Sequence, residues 1–189
     1  GKYGDVEEQK ADTCKDCGKG KYNSAAGASE SAQCTECPVG TYGLSATATS
    51  AAECTPCDAG KANPLSGQTL ATACVNCVKG RFLFETGKAS CKACEAGKYG
   101  DAEEQKTNTC KDCGQGKYNS AAGASESTQC TECPVGTYGL SANATSASGC
   151  TQCATGTANP LSGQSLATAC VNCVKGRFQS ETGKVSCKA

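Results

Sequence analysis

The sequence predicts a small disulfide-rich repeat fold, an elongated tandem array of short β-hairpin loops with little regular secondary structure. A pattern C-x-x-C-x-x-G, usually followed two residues later by Tyr or Phe, recurs along the 189 residues. Cysteine supplies 19 of these residues, which is close to the density of a disulfide scaffold. The chain has no Met, Trp or His, and 5% of its residues are aromatic, so little apolar area is available for an ordinary core.

Residues 34–54 give the repeat in its clearest form. A cysteine pair of the form C-x-x-C, here called a knuckle, opens it at Cys34 and Cys37, and Gly40 and Tyr42 follow before a polar run to Cys54. Residues 40–44 predict one arm of a short hairpin, with glycine at positions that need unusual backbone angles. The repeat glycines are Gly20, Gly40, Gly60, Gly80, Gly97, Gly116, Gly136, Gly156 and Gly176.

A longer period of 96 residues divides the chain into 1–93, a first five-unit repeat truncated at its start, and 94–189, a second truncated at its end. Aligning 1–93 with 97–189 leaves 16 differences. We therefore expect two turns of a longer array, cut within units; the alternative is a recent duplication. The bulkiest change turns Leu83-Phe84 into Gln179-Ser180. A pair that tolerates this change is expected to lie outside the packed interior of its unit.

Charge and motifs exclude several classes of function. The 18 basic and 18 acidic residues cancel, and no basic stripe for nucleic acid is present. No apolar run approaches the roughly 20 residues of a membrane span. Without histidine, a serine elbow or a phosphate loop, the sequence predicts no enzyme and no cofactor.

The knuckles have three interpretations. Two knuckles have the spacing of a zinc site, but five knuckles per period would force identical copies into different pairings. In the second interpretation, each knuckle forms its own redox-active disulfide. Such chemistry needs one reactive C-x-x-C motif on a βαβ framework, whereas this chain has a series of equivalent knuckles. A structural ladder, in which the second cysteine of each knuckle bonds the first cysteine of the next, treats every unit alike. Each bond would close a loop of about 15–18 residues and contribute roughly 3 kcal/mol.

The ladder is the preferred hypothesis, without metal. Its pairs are Cys17–Cys34, Cys37–Cys54, Cys57–Cys74, Cys77–Cys91, Cys94–Cys110, Cys113–Cys130, Cys133–Cys150, Cys153–Cys170 and Cys173–Cys187. Cys14 is then expected to be unpaired by truncation, since the equivalent of its partner would lie upstream of Gly1. If each knuckle instead formed a disulfide between its own two cysteines, the unpaired cysteine would be Cys187.

The pattern C-x-x-C-x-x-G-x-Tyr/Phe resembles the cysteine-rich repeat of ephrin-receptor and tumour necrosis factor receptor ectodomains. It is also similar to tandem arrays in protist and algal surface proteins. The resemblance covers the whole chain, through cysteines, glycines and aromatics. It implies a disulfide between the same two positions as in the ladder. The receptor repeats usually carry an additional interleaved pair of disulfides, which is not seen here.

Two classes of function follow. The first is a structural extracellular protein that self-associates into a filament or surface coat; the alternative is a ligand- or adhesion-binding ectodomain. The cysteine content favours an extracellular or cell-surface location. Asn143-Ala144-Thr145 is an N-glycosylation sequon, so we expect covalent glycans. Two acidic clusters lack the spacing of a calcium loop and are expected to be solvated: Asp5, Glu7 and Glu8, and Asp101, Glu103 and Glu104.

Overall fold

A computed structural model of the chain describes residues 1–5 and 13–189. Within these ranges the regular secondary structure consists of two-residue β-strands and single-turn 3₁₀ helices, without an α-helix. The polar runs between cysteines have no sustained helical periodicity, which explains the shortness of the elements. No helix of the described part of the chain is long and apolar enough to cross a membrane.

The elements follow one another in a regular order. The strands are β1 (Lys2–Tyr3), β2 (Lys15–Asp16), β3 (Lys21–Tyr22), β4 (Thr35–Glu36), β5 (Thr41–Tyr42), β6 (Thr55–Pro56), β7 (Lys61–Ala62), β8 (Val75–Asn76), β9 (Arg81–Phe82), β10 (Lys92–Ala93), β11 (Lys98–Tyr99), β12 (Lys111–Asp112), β13 (Lys117–Tyr118), β14 (Thr131–Glu132), β15 (Thr137–Tyr138), β16 (Thr151–Gln152), β17 (Thr157–Ala158) and β18 (Val171–Asn172). The 3₁₀ helices are Ser31–Gln33, Ala51–Glu53, Ala71–Ala73, Ser127–Gln129, Ala147–Gly149 and Ala167–Ala169.

Each hairpin joins the strand after a repeat glycine to the strand inside the next knuckle. In the hairpin of β5 and β6, Thr41 lies opposite Pro56 and Tyr42 lies opposite Thr55, in antiparallel register. The same register relates β3 to β4 and β7 to β8, and it returns for β13 with β14 and β15 with β16. The hairpin arm predicted at residues 40–44 is thereby confirmed.

A single 3₁₀ turn leads the chain into several knuckles. In the turn before Cys34, the Cys34 N–H donates to the Ser31 carbonyl at 3.1 Å, and the Gln33 side-chain oxygen accepts from the Ser29 N–H at 2.7 Å. Glu53 closes the next turn by accepting from the Thr49 N–H at 2.8 Å. Hydrogen bonds from the Thr49 hydroxyl and amide lower the pKa of the Glu53 carboxyl. In these two loops, polar side chains thus fix the approach of the chain to the disulfide.

The chain divides into two compact units. Unit 1 contains Gly1–Val78, Phe82–Lys92 and Glu103–Asn108, and it holds the hairpins formed by β1 to β8. Unit 2 contains Lys79–Arg81, Ala93–Ala102 and Thr109–Ala189, and it holds the hairpins formed by β11 to β18. The division of the sequence at residue 93 stays a prediction, because a period of sequence and a unit of contacts are different properties.

Disulfides close successive loops along the described chain. Each joins the second cysteine of one knuckle to the first cysteine of the next, with Cα atoms 5.5–5.8 Å apart. The nine pairs in the structure are the pairs of the ladder given above. Cys14 is exposed. The protein is a small disulfide-rich repeat array.

The buried core is built mainly from cystine sulfur and small side chains. Cys37, Cys94 and Cys133 are fully buried, as are Cys57, Cys77, Cys113 and Cys153, whereas their equivalents Cys17 and Cys173 are half-buried. This arrangement supplies a dry interior where the sequence has few large apolar residues, and the cross-links restrict the unfolded chain.

The expectation for Leu83 was wrong. Leu83 is 1% exposed and packs with Ala62 and Cys77, and half-buried Cys91 lies against them. Its counterpart Gln179 is also buried, and its amide donates to the Ser186 carbonyl at 2.8 Å. The position therefore accepts a polar residue because the amide finds a backbone partner, and its tolerance does not indicate exposure. Phe84 is exposed, as expected.

Peptide mapping without reduction tests the disulfide pairing. We expect cross-linked peptides that join Cys37 to Cys54 and Cys133 to Cys150, because the structure brings these sulfurs together within equivalent loops. Fragments should be separated at low pH, which slows thiolate exchange. A bond between Cys34 and Cys37, or thiols that hold zinc, would contradict the ladder.

Candidate functional site

The feature that recurs through the fold is a junction between repeats, centred on the repeat glycine. In unit 1, the Gly40 N–H donates to the Asn63 carbonyl at 2.7 Å, and the Gly40 carbonyl accepts from the Cys57 N–H at 2.8 Å. In unit 2, the Gly80 N–H donates to the Gly100 carbonyl at 2.7 Å in the same way. These bonds use backbone atoms alone, so they are independent of the side chains that differ between repeats.

Two further backbone bonds extend the junction. The Asn63 N–H donates to the Lys88 carbonyl at 3.1 Å, and the Gly87 N–H donates to the Cys57 carbonyl at 2.9 Å. The loop that contains Gly87 and Lys88 belongs to the second repeat after Gly40. The repeat that contains Gly40 therefore contacts both the next repeat and the one beyond it, which stabilises the array in addition to its cross-links.

Gly40 is required by its backbone angle and by its surroundings. Its φ of 80° is in the left-handed region, where a side chain is unfavourable. A Cβ atom on Gly40 would also collide with the Gly87 carbonyl and lie 2.7 Å from the Lys88 nitrogen. The sequence predicted the unusual angle, but the close approach of a loop two repeats away was missed. The recurrence of glycine at one position was the available signal for it.

The loop residue that packs against a repeat glycine adopts a left-handed backbone conformation. Gly87 and Gly123 occupy this position, with φ values of 68° and 80°. Glu104 takes this place in the loop that follows Tyr99, with a φ of 52°, and its N–H donates to the Cys77 carbonyl at 2.8 Å. An acidic residue thus adopts a conformation usual for glycine because the junction needs this amide there.

The aspartate of each acidic cluster has a lysine partner. Asp101 accepts from Lys111 at 2.7 Å, and this hydrogen bond lowers the pKa of the Asp101 carboxyl. Asp5 pairs with Lys15 in the same manner. Glu7 and Glu8 lie outside the described residues. Among the described residues, no group of three or more His, Cys, Asp or Glu side chains is arranged to hold a metal ion.

Buried Asn63 and Asn159 each tie a turn to the strand of the preceding repeat. Asn63 is 1% exposed; its amide donates to the Thr41 carbonyl at 2.9 Å, and its oxygen accepts from the Leu65 N–H at 3.1 Å. Asn159 makes the equivalent bond to the Thr137 carbonyl at 2.8 Å. The sequence indicated turns here, but it did not reveal that the turn-forming side chain also bonds the previous repeat.

The predicted glycosylation residue lies in an accessible turn. Asn143 is exposed, and Ala144, the middle residue of the sequon, is buried and forms a bridge with Tyr118. The backbone of the sequon is therefore held against the array while the Asn143 side chain reaches solvent. Thr47 takes the same position in the first period.

Comparison with known proteins agrees with this architecture. Residues 1–54 match the family described as tyrosine-protein kinase ephrin type A/B receptor-like. No curated protein matches the chain. The matched family is a receptor-like repeat rather than an enzyme family. Together with the nine regularly spaced disulfides, the match defines a tandem cysteine-rich repeat protein, and these features fit an extracellular cysteine-rich domain.

Replacing Gly40 with alanine tests the junction. At Gly18, where φ is 85° and a Cβ atom would meet no described atom within 4 Å, alanine should cost about 1–2 kcal/mol from backbone strain alone. Gly40→Ala should lower the free energy of unfolding by about 1–3 kcal/mol more, because the Gly87 loop must move. Guanidinium unfolding with the disulfides intact measures both variants. Equal losses would contradict the proposed role of close packing.

Proposed function

We propose that this chain is a structural extracellular strand that self-associates into a filament or surface coat and carries glycans. The observation that carries the proposal is the backbone junction, which uses the same atoms at Gly40 and at Gly136. A junction that needs only glycine and backbone amides adds repeats without a change of geometry. This property suits a periodic building element, and a repeat array gains stability from each neighbour.

The exposed surface supports association between strands. Leu44 and Leu140 are each 54% exposed, and Leu65 and Leu161 are each 60% exposed. Leu70 and Leu166 are also equally exposed, which extends the 96-residue period to the apolar surface. The formal charge of zero removes the net repulsion that would keep copies apart.

A second candidate is a ligand- or adhesion-binding ectodomain, which the match of residues 1–54 to the ephrin receptor-like family favours. Such a protein would diversify exposed positions between its repeats. Only 16 positions differ between residues 1–93 and 97–189, and the exposed leucines are retained. This near-identity supports the structural role.

Electron microscopy of the native material tests the structural role. We expect filaments or a continuous coat, because repeated units present the same surface at regular intervals. Narrow filaments and coats both satisfy the proposal. Short, dispersed monomers that bind a defined partner would reject it in favour of the ectodomain.

Glycosylation is tested by intact mass before and after treatment with an N-glycosidase. Asn143 is exposed within a complete sequon, so a loss of mass is expected, and Asn143→Gln should abolish that loss. Thr47 supplies the internal control, because its position in the first period cannot carry an N-linked sugar. If the mass of the secreted native protein did not change on treatment, the prediction of an N-linked glycan at Asn143 would be wrong.

A further inference from the structure

An open cavity in unit 1 lies on the loop that the disulfide between Cys77 and Cys91 closes. Its volume is about 350 Å³, and it is lined by Leu83, Glu85, Lys88, Ala89, Ser90 and Lys92. Leu83 is buried, whereas Ser90 and the two lysines are exposed. We call this the loop cavity. It combines an apolar wall with a few polar groups, which is the usual composition of a small-ligand site.

The loop cavity lies within the chain and is not formed by a chain end. The described chain continues on both sides of it, back to residue 13 and on to residue 189. The segment that follows the loop is in place, since the Leu83 N–H donates to the Gln105 carbonyl at 2.9 Å. The cavity therefore stays open in the presence of its neighbouring repeats.

Two lysines and one glutamate give the loop cavity a net positive charge. The Glu85 carboxylate accepts from Lys88 at 2.7 Å and from Lys92 at 3.1 Å. These hydrogen bonds lower the pKa of the Glu85 carboxyl, so it is ionised at neutral pH and holds both ammonium groups beside the cavity. An ammonium group has three N–H donors, and the contact with Glu85 leaves donors for a ligand. The surplus positive charge favours an anion.

An aromatic ring borders the same site. Phe84 is 54% exposed, and the Lys92 Nζ lies 4.2 Å from the centroid of its ring. Lys92 therefore contacts the ring and lines the cavity at the same time. A ligand that bonds this ammonium through an anionic group has its remaining atoms close to the ring. The C–H groups of a sugar ring are attracted to the negative face of an aromatic ring, whereas an inorganic anion is not.

The differences between the two periods concentrate around this site. Nine of the 16 differences fall in residues 52–61 and 83–89, which together make up 17 of the 93 aligned positions. The two stretches pack on each other, since the Gly60 N–H donates to the Leu83 carbonyl at 2.7 Å. The array is otherwise nearly constant, so this patch is where the first period has acquired a surface of its own.

The second period keeps the charges of the site and loses its apolar parts. Leu83-Phe84 becomes Gln179-Ser180. Glu181 still pairs with Lys184 at 2.8 Å and with Lys188 at 3.4 Å. The ion pairs thus persist without an aromatic ring beside them. The second period therefore supplies an internal comparison that separates the contribution of the ring from that of the lysines.

We propose that the loop cavity binds an acidic sugar unit of a polysaccharide. The carboxylate or sulfate group of the sugar accepts from Lys88 and Lys92, and the sugar ring packs on Phe84. The surplus positive charge selects the anionic group, and the exposed aromatic ring selects a sugar over a bare anion. This site is additional to the proposed self-association and does not depend on it.

NMR titration of the full nitrogen-15-labelled chain, with its disulfides intact, tests the site. The probes are an oligogalacturonate, a sulfated oligogalactose and the same oligogalactose without sulfate. We expect the amide signals of residues 84–92 to shift with the anionic probes and to stay in place with the neutral one. The two anionic probes distinguish a carboxylate ligand from a sulfate ligand. Binding should weaken as salt is added, because exposed charges are screened.

Substitutions separate the ring from the charge. Phe84→Ser should weaken binding about fivefold to tenfold, because it removes the packing surface for the sugar. Its fold should be retained, since Ser180 occupies this position in the second period. Lys88→Gln should weaken binding at least about fivefold, because an ammonium donor is lost. Lys184→Gln is the matched control: it removes the equivalent charge from the second period and should leave the titration of residues 84–92 unchanged.

Three results would overturn the inference. The first is an absence of shifts at residues 84–92 with both anionic probes. The second is an equal response to inorganic sulfate at the same concentration, which would reduce the site to a contact between lysine and an anion. The third is unchanged affinity in both Phe84→Ser and Lys88→Gln. Each of these results leaves the proposed structural role standing, because microscopy of the native material tests that role independently.

Discussion

The structure depends on a backbone junction that leaves no room for a side chain. At Gly40, one amide donates to the next repeat, one carbonyl accepts from it, and the Gly87 loop of the following repeat occupies the space of a Cβ atom. Because the partners are backbone groups, composition elsewhere in the loop is free to vary. The same geometry at Gly80 and Gly136 shows that the junction, rather than any particular side chain, sets the spacing of the array.

The disulfides and the junction have complementary roles. The bonds close each loop and bury sulfur where a larger domain would bury leucine and phenylalanine, as at Cys37 and Cys133. The junction then orders one closed loop on the next. The exchange of Leu83 for Gln179 shows how small the apolar contribution is: a buried amide with a carbonyl partner replaces a leucine in the same place.

Because backbone hydrogen bonds and disulfides hold the fold together, the side chains on its outer surface are available for contacts with other molecules. Leu65 and Leu161 keep the same exposure in both periods, and Asn143 projects a sequon from a turn whose next residue is fixed against Tyr118. Surfaces repeated at a constant interval favour partners that repeat as well, foremost other copies of the chain. The proposed structural role therefore accounts for more of the molecule than a single ligand site would.

The sequence by itself determined the features that are local and periodic. The spacing of cysteines indicated the closed loops, and Gly40 with Tyr42 indicated a hairpin arm, because turn and strand preferences act over a few residues. Only the tertiary structure decided which loop covers Gly40, that Leu83 is buried, and that Glu104 takes the place of a glycine. Those outcomes depend on contacts between residues about 20 to 50 positions apart, and no local pattern records them.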